Sequence, residues 1–243
     1  MTKQTERWYS QRLGREIAVA RYGHYGTPVL LFPTAGGDAE ECERFHLIDA
    51  VGQLLAEGRI KVYSLDSIAG RSWLSEDSSA SGGARIQLAF DGCVRREVVP
   101  LIQEDCRTPD IEIVAAGASI GAFNALAILC RHPDVFSKAI CMSGTFDLSR
   151  FLHGEKTDEY VLCSPLDFLP RLSEGDHLSR LRSRFALLAH GQGRWEDGSN
   201  SWRAADALGA RGVPNRVDAW GPEWDHDWAT WRAMLPQYLA ELA

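Results

Sequence analysis

The chain has 243 residues, of which 45% are hydrophobic and 24% are charged, proportions typical of a globular domain that buries a large core. Its formal net charge of −7 argues against nucleic acids and anionic membranes as partners. The sequence contains no run of about 18 apolar residues, the length that would predict a membrane span. The polar N-terminal segment MTKQTERWYS also lacks the apolar region of a signal peptide. We therefore expect a cytoplasmic protein.

Apolar segments typical of strands alternate with segments typical of helices. Seven segments predict strands: 16–23, 28–34, 60–67, 111–117, 138–144, 184–191 and 215–221. Because most of them are continuous apolar runs, they indicate a mostly parallel sheet covered on both faces. Residues 45–58 and 202–212 predict helices that end at glycine. The sequence therefore predicts one α/β domain over residues 1–243, with helices on both faces of the sheet.

Two longer segments, residues 70–92 and 144–176, interrupt this alternation. The first is polar with small residues in its middle, and the second mixes aromatic with charged residues. Segments of this length without regular structure usually carry function in a compact domain. We expect both to be loop or cap-like insertions that form walls of a pocket at the carboxyl ends of the strands, where such sheets bind ligands.

Six cysteines are spread along the chain without C-x-x-C pairs or metal-ligand spacing. Several lie in apolar runs such as LAILC and KAICM. This pattern predicts buried free thiols in a reducing compartment, with no metal site.

The motif GASIG, residues 117–121, places a serine between two glycines where a predicted strand meets an Ala- and Leu-rich helical segment. G-x-S-x-G at such a junction is typical of a nucleophile elbow, whose tight turn presents the serine hydroxyl at the head of the helix. There the N–H of Ile120 and the helix dipole can stabilise an oxyanion. The alternative is that Ser119 only caps the helix. The preceding strand and following helix favour a nucleophile.

A nucleophilic serine needs a base, and His226 is the best placed of the seven histidines. It follows the last predicted strand and precedes the last helix, which completes the chain order serine, acid, histidine. The surrounding tryptophans, in WGPEWDHDWATW, could hold the imidazole and keep it partly dry. His190 also follows a strand, but it precedes the acidic loop. A packed or capping histidine is the alternative for His226.

A carboxylate must orient the base, and the segment GQGRWEDGSN supplies two neighbouring candidates after a strand. We favour Asp197, which is shorter and is followed by glycine, with Glu196 as the close alternative. Asp225 and Asp227 flank His226, but adjacent residues rarely face each other. We expect these two to serve as cap and first-turn acid of the last helix.

The second oxyanion donor is expected in the loop within LLFPTAGGDAEE, where small residues let the backbone approach a substrate. Ala35 is the predicted donor, with Thr34 and Gly36 as its neighbours. The alternative for this loop is an ordinary turn formed by its two glycines, without a role in the site. Asp66 ends a central strand, and either a position lining the site or a structural role fits it equally well.

The segments LLFPTAGGDAEE, GASIGAFNAL and GPEWDHDWATWRAMLPQYL resemble the esterase D-like branch of the α/β-hydrolase superfamily. That branch includes S-formylglutathione hydrolases, feruloyl esterases and acyltransferases of the antigen 85 type. The resemblance extends from Val29 to Leu239. It implies the α/β-hydrolase fold and a carboxylic ester hydrolase that needs no cofactor.

The resemblance also implies the roles of individual residues. Ser119, His226 and Asp197 or Glu196 occupy the triad positions, and the backbone groups of two further residues, Ala35 and Ile120, fall at the oxyanion hole. The acid turn GQGRWED is longer than the compact G-x-x-D turn common in the branch. The choice of acid therefore stays open.

The expected reaction is hydrolysis of a small-molecule ester through an acyl-enzyme intermediate. One alternative is acyl transfer in the same site, where an alcohol or amine replaces water. Another is a non-catalytic binding protein of the same fold, against which the ordered serine, acid and histidine argue. The C-terminal tryptophans could line a pocket or an interface, so a homo-oligomer is left open.

Overall fold

The computed structural model describes residues 2–74, 80–152 and 156–243. These residues form a single sheet of eight strands: β1 (Lys3–Ser10), β2 (Arg15–Tyr22), β3 (Thr27–Phe32), β4 (Ile60–Leu65), β5 (Ile113–Ala118), β6 (Phe136–Met142), β7 (Phe185–His190) and β8 (Asn215–Ala219). The spatial order is β1-β2-β4-β3-β5-β6-β7-β8. β1 pairs with β2 and β2 with β4 in antiparallel fashion, and the five remaining pairs are parallel.

The described residues also form twelve α-helices: α1 (Glu41–Arg44), α2 (Leu47–Ala50), α3 (Gly52–Ala56), α4 (Ile68–Leu74), α5 (Ala80–Cys93), α6 (Val99–Cys106), α7 (Ile120–Arg131), α8 (Asp158–Cys163), α9 (Pro165–Phe168), α10 (Asp176–Leu181), α11 (Gly198–Gly209) and α12 (Trp228–Leu242). A π-helical turn, Val94–Val98, joins α5 to α6. Short 3₁₀ turns occupy Ser149–Phe151 and Leu169–Arg171. None of these helices is long and apolar enough to cross a membrane.

The central strands are buried on both faces, because successive side chains point to opposite sides of the sheet. In β3, Leu30 and Phe32 pack into one core with α7, whereas Val29 and Leu31 pack into a second core that includes α12. Strands covered on both sides need apolar residues at every position. This explains the continuous apolar runs and confirms the predicted α/β fold with a mostly parallel sheet.

All seven predicted strands are present, as β2 to β8. β1 was not predicted, because its residues are almost all exposed and show no apolar face. It forms a full antiparallel ladder with β2, from Lys3 opposite Tyr22 to Ser10 opposite Arg15. Besides this backbone ladder, only Trp8 and Ser10 of its side chains are not exposed, and Trp8 packs against the core.

The predicted helix over residues 45–58 is broken into short pieces. His46 adopts a left-handed conformation with φ of 60° between α1 and α2, so the helical part begins only at Leu47. Val51, with φ of −95° and ψ of 10°, then separates α2 from α3. The predicted helix over residues 202–212 is α11, which begins four residues earlier at Gly198 and ends at Gly209.

The segment 70–92, expected to be a loop, is largely helical in its described part. α4 ends at Leu74 and α5 begins at Ala80, and this part packs against α8 of the second segment, 144–176. Trp73 lies edge-on to Tyr160, with ring centroids 6.1 Å apart, so burial of aromatic rings orders the two segments together. Residues 75–79 and 153–155 of these two segments lie outside the described residues.

The prediction of buried free thiols is confirmed for five of the six cysteines. All six are free, and those that are buried are Cys42, Cys93, Cys130, Cys141 and Cys163. Cys106 is half-buried.

Candidate active site

Ser119 lies on a sharp turn between β5 and α7, with φ of 58° and ψ of −121°. A non-glycine residue in this region of backbone space stores on the order of 1–3 kcal/mol of strain. Ser119 occupies the N-cap position of α7, but its side chain makes no capping hydrogen bond. The hydroxyl is thus not used as a helix cap, which removes the main structural alternative for this serine.

The two glycines of the motif are required by close backbone contacts. A Cβ on Gly117 would lie 2.4 Å from the carbonyl group of Gly121. A Cβ on Gly121 would lie 2.4 Å from the carbonyl oxygen of Phe32, at the end of β3. Both distances are far below van der Waals contact, so only glycine fits. The same contacts hold the loop after β3 against the serine turn.

His226 lies between β8 and α12, where the sequence predicts the base. Its backbone N–H donates to the carbonyl oxygen of Arg194 at 2.9 Å, and its side chain is 23% exposed. The imidazole packs edge-on against the indole of Trp231, with ring centroids 5.2 Å apart and an angle of 84°. The competing histidine, His190, is buried, and its Nδ1 lies 2.7 Å from the carbonyl oxygen of Gly191.

The carboxylate beside His226 belongs to Glu196. Its Oε2 lies 3.8 Å from His226 Nδ1, and the Glu196 side chain is only 2% exposed. Asp197, the carboxylate favoured from the sequence, is directed elsewhere. It caps α11, accepting hydrogen bonds from the Ser199 N–H at 3.1 Å and hydroxyl at 2.6 Å and from Asn200 Nδ2 at 2.7 Å.

Of the two candidate acids, Glu196 and not Asp197 faces the imidazole of His226. Asp197 is short and stands directly before a helix, so its side chain satisfies the free N–H groups at the helix start. The hydrogen bond with Ser199 is the main cause that lowers the pKa of Asp197. Glu196, one residue earlier and one methylene longer, turns inward toward the imidazole.

A buried serine holds the second oxygen of Glu196. The Ser143 hydroxyl donates to Glu196 Oε1 at 2.5 Å and accepts a hydrogen bond from Trp231 Nε1 at 3.0 Å. Sequence reasoning missed Ser143 as a site residue. Its signal was the segment MSG directly after a strand, at the carboxyl edge of the sheet where ligand sites form.

Residues 142–145 connect this network to the serine turn. The N–H of Ser119 donates to the Met142 carbonyl at 2.9 Å, and the N–H of Thr145 donates to the Ser119 carbonyl at 3.2 Å. Ser143 lies between these two contacts. The strand end that binds the Ser119 backbone thus also binds the carboxylate of Glu196, which brings the predicted serine, acid and base to one region.

Asp225 and Asp227 have different roles. Asp227 caps α12 by accepting from the N–H groups of Ala229 at 2.9 Å and Thr230 at 3.2 Å, as predicted. Asp225 instead accepts from the backbone N–H of Arg194 at 2.6 Å. It ties the loop that holds the histidine to the loop that holds the acid.

The two residues predicted to donate to the oxyanion pack into one apolar region: Ile120 is part of a buried cluster, and the partly buried Ala35 packs against that cluster. The preceding residue, Thr34, is fixed by Glu41, which accepts from its N–H at 2.7 Å and its hydroxyl at 2.8 Å. Within the described part of the chain, the Ala35 N–H makes no hydrogen bond, so it is free to bind a ligand.

Asp66 has a structural role. Its two carboxylate oxygens accept from the N–H groups of Ala18 at 2.9 Å and Ala39 at 3.0 Å. The side chain therefore joins β2 to the loop after β3 and is occupied by these bonds.

The mixed sheet, the crossover helices and the strained serine between β5 and α7 define an α/β-hydrolase fold. The chain belongs to the Esterase family, whose model matches residues 10–242. The predicted enzyme class, a carboxylic ester hydrolase, and the resemblance drawn from the sequence are both confirmed by this match.

Solved structures share the fold. A ferulic acid esterase superposes with a TM-score of 0.73 at 18% identity, covering 98% of this chain and 96% of the other. An S-formylglutathione hydrolase from Agrobacterium tumefaciens gives 0.68 at 14% identity, covering 98% and 93%. The Staphylococcus aureus fluorophosphonate-binding serine hydrolase F gives 0.68 at 15% identity, covering 99% and 97%. A comparison of the sequence with curated proteins found no match.

Proposed function

We propose that the protein hydrolyses small-molecule carboxylic esters through an acyl-enzyme on Ser119, with His226 as general base and Glu196 as the triad acid. The observation that supports this best is the geometry of the acid. A carboxylate that is 2% exposed faces the Nδ1 of a half-buried histidine at 3.8 Å. The serine that donates to this carboxylate directly follows Met142, whose carbonyl accepts from the N–H of the strained Ser119.

The first step forms the acyl-enzyme. The Ser119 oxygen attacks the ester carbonyl carbon while His226 Nε2 takes the hydroxyl proton, giving a tetrahedral intermediate and an imidazolium. The intermediate then collapses, the bond to the alkoxy group breaks, and the imidazolium gives its proton to the leaving alcohol. Water repeats the sequence on the acyl-enzyme and releases the carboxylic acid, with His226 again as the base.

Glu196 has two tasks in this mechanism. Its carboxylate accepts from His226 Nδ1–H, which selects the tautomer with a free Nε2, and its negative charge stabilises the imidazolium. The separation of 3.8 Å is longer than a hydrogen bond, and such bonds commonly tighten when substrate binds. Burial of the carboxylate strengthens its interaction with the imidazolium, because less water screens the two charges.

The oxyanion would be stabilised by the N–H groups of Ala35 and Ile120. Ile120 is the first residue of α7, so its N–H belongs to the free amides at a helix start. The Ala35 N–H lies on the loop that Gly121 contacts through Phe32. Each such donor contributes about 3 kcal/mol to transition-state stabilisation.

The test is intact-mass spectrometry after treatment with a fluorophosphonate, comparing wild type with Ser119→Ala. We expect one adduct on wild type and none on the variant, followed by acid release from a panel of small esters. Ser199→Ala, which removes a hydroxyl bonded to Asp197 on the same loop as the acid, is the matched control and should keep the adduct. Folded wild-type protein without an adduct would refute an activated serine. Faster product formation on adding alcohols, without matching acid release, would instead indicate acyl transfer.

A further inference from the structure

We propose that Ser143 and Trp231 are positioning residues that hold the carboxylate of Glu196 in the orientation in which one of its oxygens faces His226. The inference rests on the proposed roles of Glu196 and His226 and extends them to side chains that act on this acid and base rather than on the substrate. Three features support it. They are the direction of the hydrogen bonds, the strained backbone conformation of Ser143, and the contacts of Trp231 with both Ser143 and His226.

The hydrogen-bond direction is determined by the chemistry of the indole. A tryptophan Nε1–H can only donate, whereas a serine hydroxyl has one hydrogen and accepts through its lone pairs. Since Trp231 donates to Ser143 Oγ at 3.0 Å, the Ser143 hydrogen is directed to Glu196 Oε1, 2.5 Å away. Glu196 Oε1 must then act as an acceptor. Its other oxygen, Oε2, is left for His226.

The hydrogen bonds from Trp231 to Ser143 and from Ser143 to Glu196 matter because a glutamate side chain is flexible. Its side chain has one more rotatable bond than aspartate, and fixing a long side chain costs conformational entropy. One hydrogen bond to Oε1, made by a hydroxyl that a second donor polarises, restricts rotation of the carboxylate about its last bond. The Oε2 that contacts His226 is thereby kept in place.

The backbone of Ser143 is held in a strained conformation that supports this role. Its φ is 48°, in the left-handed region that favours glycine. Its N–H donates to the Ala189 carbonyl of β7 at 2.7 Å, and its side chain is buried. A glycine would adopt this conformation at lower cost but would have no hydroxyl. The presence of serine here is explained by the hydroxyl it places against Glu196.

Trp231 acts at both ends of the acid–base pair. Its N–H reaches Ser143, and its ring packs edge-on against the imidazole of His226 with centroids 5.2 Å apart. The indole itself is 4% exposed and part of the core beneath α12. One rigid side chain therefore sets the position of the base and, through Ser143, that of the acid.

The experiment compares Ser143→Ala and Ser143→Gly with wild type in steady-state ester hydrolysis. We expect kcat to fall by about tenfold to a hundredfold in both, the scale for losing a hydrogen bond to a charged group, with KM changed less than about twofold. Ser143→Gly should unfold at a temperature no lower than Ser143→Ala, because glycine relieves the backbone strain. Ser143→Gly with wild-type kcat would overturn the proposal.

Trp231→Phe tests the second donor while keeping an aromatic ring beside His226. We expect a smaller fall in kcat than for Ser143→Ala, and little further loss when the two changes are combined, since both break one hydrogen-bond chain. Additive losses of kcat would show that the two residues act separately. They would contradict a single series of hydrogen bonds from Trp231 through Ser143 to Glu196.

A spectroscopic measurement separates this inference from the proposed function. The Nδ1 proton of His226, observed by NMR in the whole protein, should shift or broaden in Ser143→Gly and stay unchanged in Ser199→Ala. That response would support positioning even if no ester were hydrolysed, in which case only the proposed function fails. An unchanged His226 signal in Ser143→Gly overturns the positioning role whatever the activity.

Discussion

Gly117 and Gly121 touch across the serine turn: a Cβ on Gly117 would lie 2.4 Å from the carbonyl carbon and oxygen of Gly121. Gly121 in turn touches the carbonyl oxygen of Phe32. Strand β5, helix α7 and the end of β3 therefore meet without any side chain between them. The geometry of Ser119 depends on this three-way contact.

The first prediction concerns Gly121→Ala. The new methyl group would collide with the backbone carbonyl of Phe32, which no flexible side chain can relieve. We expect a loss of about 1–3 kcal/mol in the free energy of unfolding, typical of overpacking, and a marked fall in kcat because α7 and the loop after β3 must separate. Urea unfolding and ester hydrolysis measure the two effects.

Gly52→Ala is the matched control, since nothing lies within 4 Å of a Cβ at Gly52. This residue is helical, so alanine should leave stability unchanged or raise it by up to about 1 kcal/mol. Equal stability and kcat in both variants would show that the contact between Gly121 and Phe32 is unimportant.

The second prediction separates the two candidate acids. Glu196→Gln should lower kcat by about 10³–10⁴-fold, because the amide can stabilise neither the tautomer nor the imidazolium of His226. Asp197→Asn should change kcat less than about tenfold and cost up to about 1 kcal/mol of stability through a weaker cap on α11. Steady-state ester hydrolysis gives kcat for both variants, and thermal unfolding gives their stability. A larger loss of kcat in Asp197→Asn would restore Asp197 as the acid.

The third prediction concerns stability at low pH. Burial would raise the pKa of Asp147, but hydrogen bonds from Ser149 and the ion pair with Arg203 outweigh it and lower this pKa to about 2. A carboxyl whose pKa is lowered by folding stabilises the protein above its unfolded pKa, and that stability is lost as the pH falls toward 2.

Asp147→Asn should therefore reduce the free energy of unfolding by about 1 kcal/mol at pH 7, a modest value because Arg203 is solvent-exposed. The difference from wild type should shrink between about pH 4 and pH 2. Urea unfolding of both proteins across this range provides the measurement, with Asp110→Asn, at an exposed position, as the control. A difference independent of pH would mean that packing, rather than charge, explains the effect.

The fourth prediction concerns the thiols. Burial raises the pKa of Cys93 and Cys163 to about 12, and burial also raises the pKa of Cys42, Cys130 and Cys141. Since the thiolate is the reactive form, we expect only Cys106 to react readily with Ellman's reagent in the native protein. All six cysteines should react after unfolding. Two or more fast thiols in the native state would contradict this burial.

Much of the sheet could be predicted from the sequence because its strands are covered on both faces and so require uninterrupted apolar residues. β1 was not predicted because only two of its side chains, Trp8 and Ser10, are not exposed, and its backbone ladder at the edge of the sheet imposes no apolar pattern. Residues 45–58 contain enough apolar residues for one helix, but the left-handed His46 delays its start and Val51 leaves helical geometry between α2 and α3. Such breaks depend on the tertiary packing of each turn, which periodicity does not record.

At the site, Ser119 and His226 were selected by their positions at strand ends and by the chain order, and their catalytic roles stay predictions. The sequence left Asp197 and Glu196 open as the acid, because they are neighbours and only the direction of each side chain separates them. Ser143 was missed because a serine after a strand is common, and its partners, Glu196 and Trp231, lie far away in the sequence. A cytoplasmic location and a homo-oligomer stay predictions from the sequence.

The bonds that place Ser119 and Ser143 link neighbouring parallel strands at their carboxyl ends. The Ser119 amide donates to the end of β6, and the Ser143 amide donates to β7. Amides bonded to neighbouring strands exchange their hydrogens more slowly than amides of exposed loops. We therefore expect the amide hydrogens of Ser119 and Ser143 to stay protected while the surface loops open locally, so the backbone positions of the two serines persist through such openings.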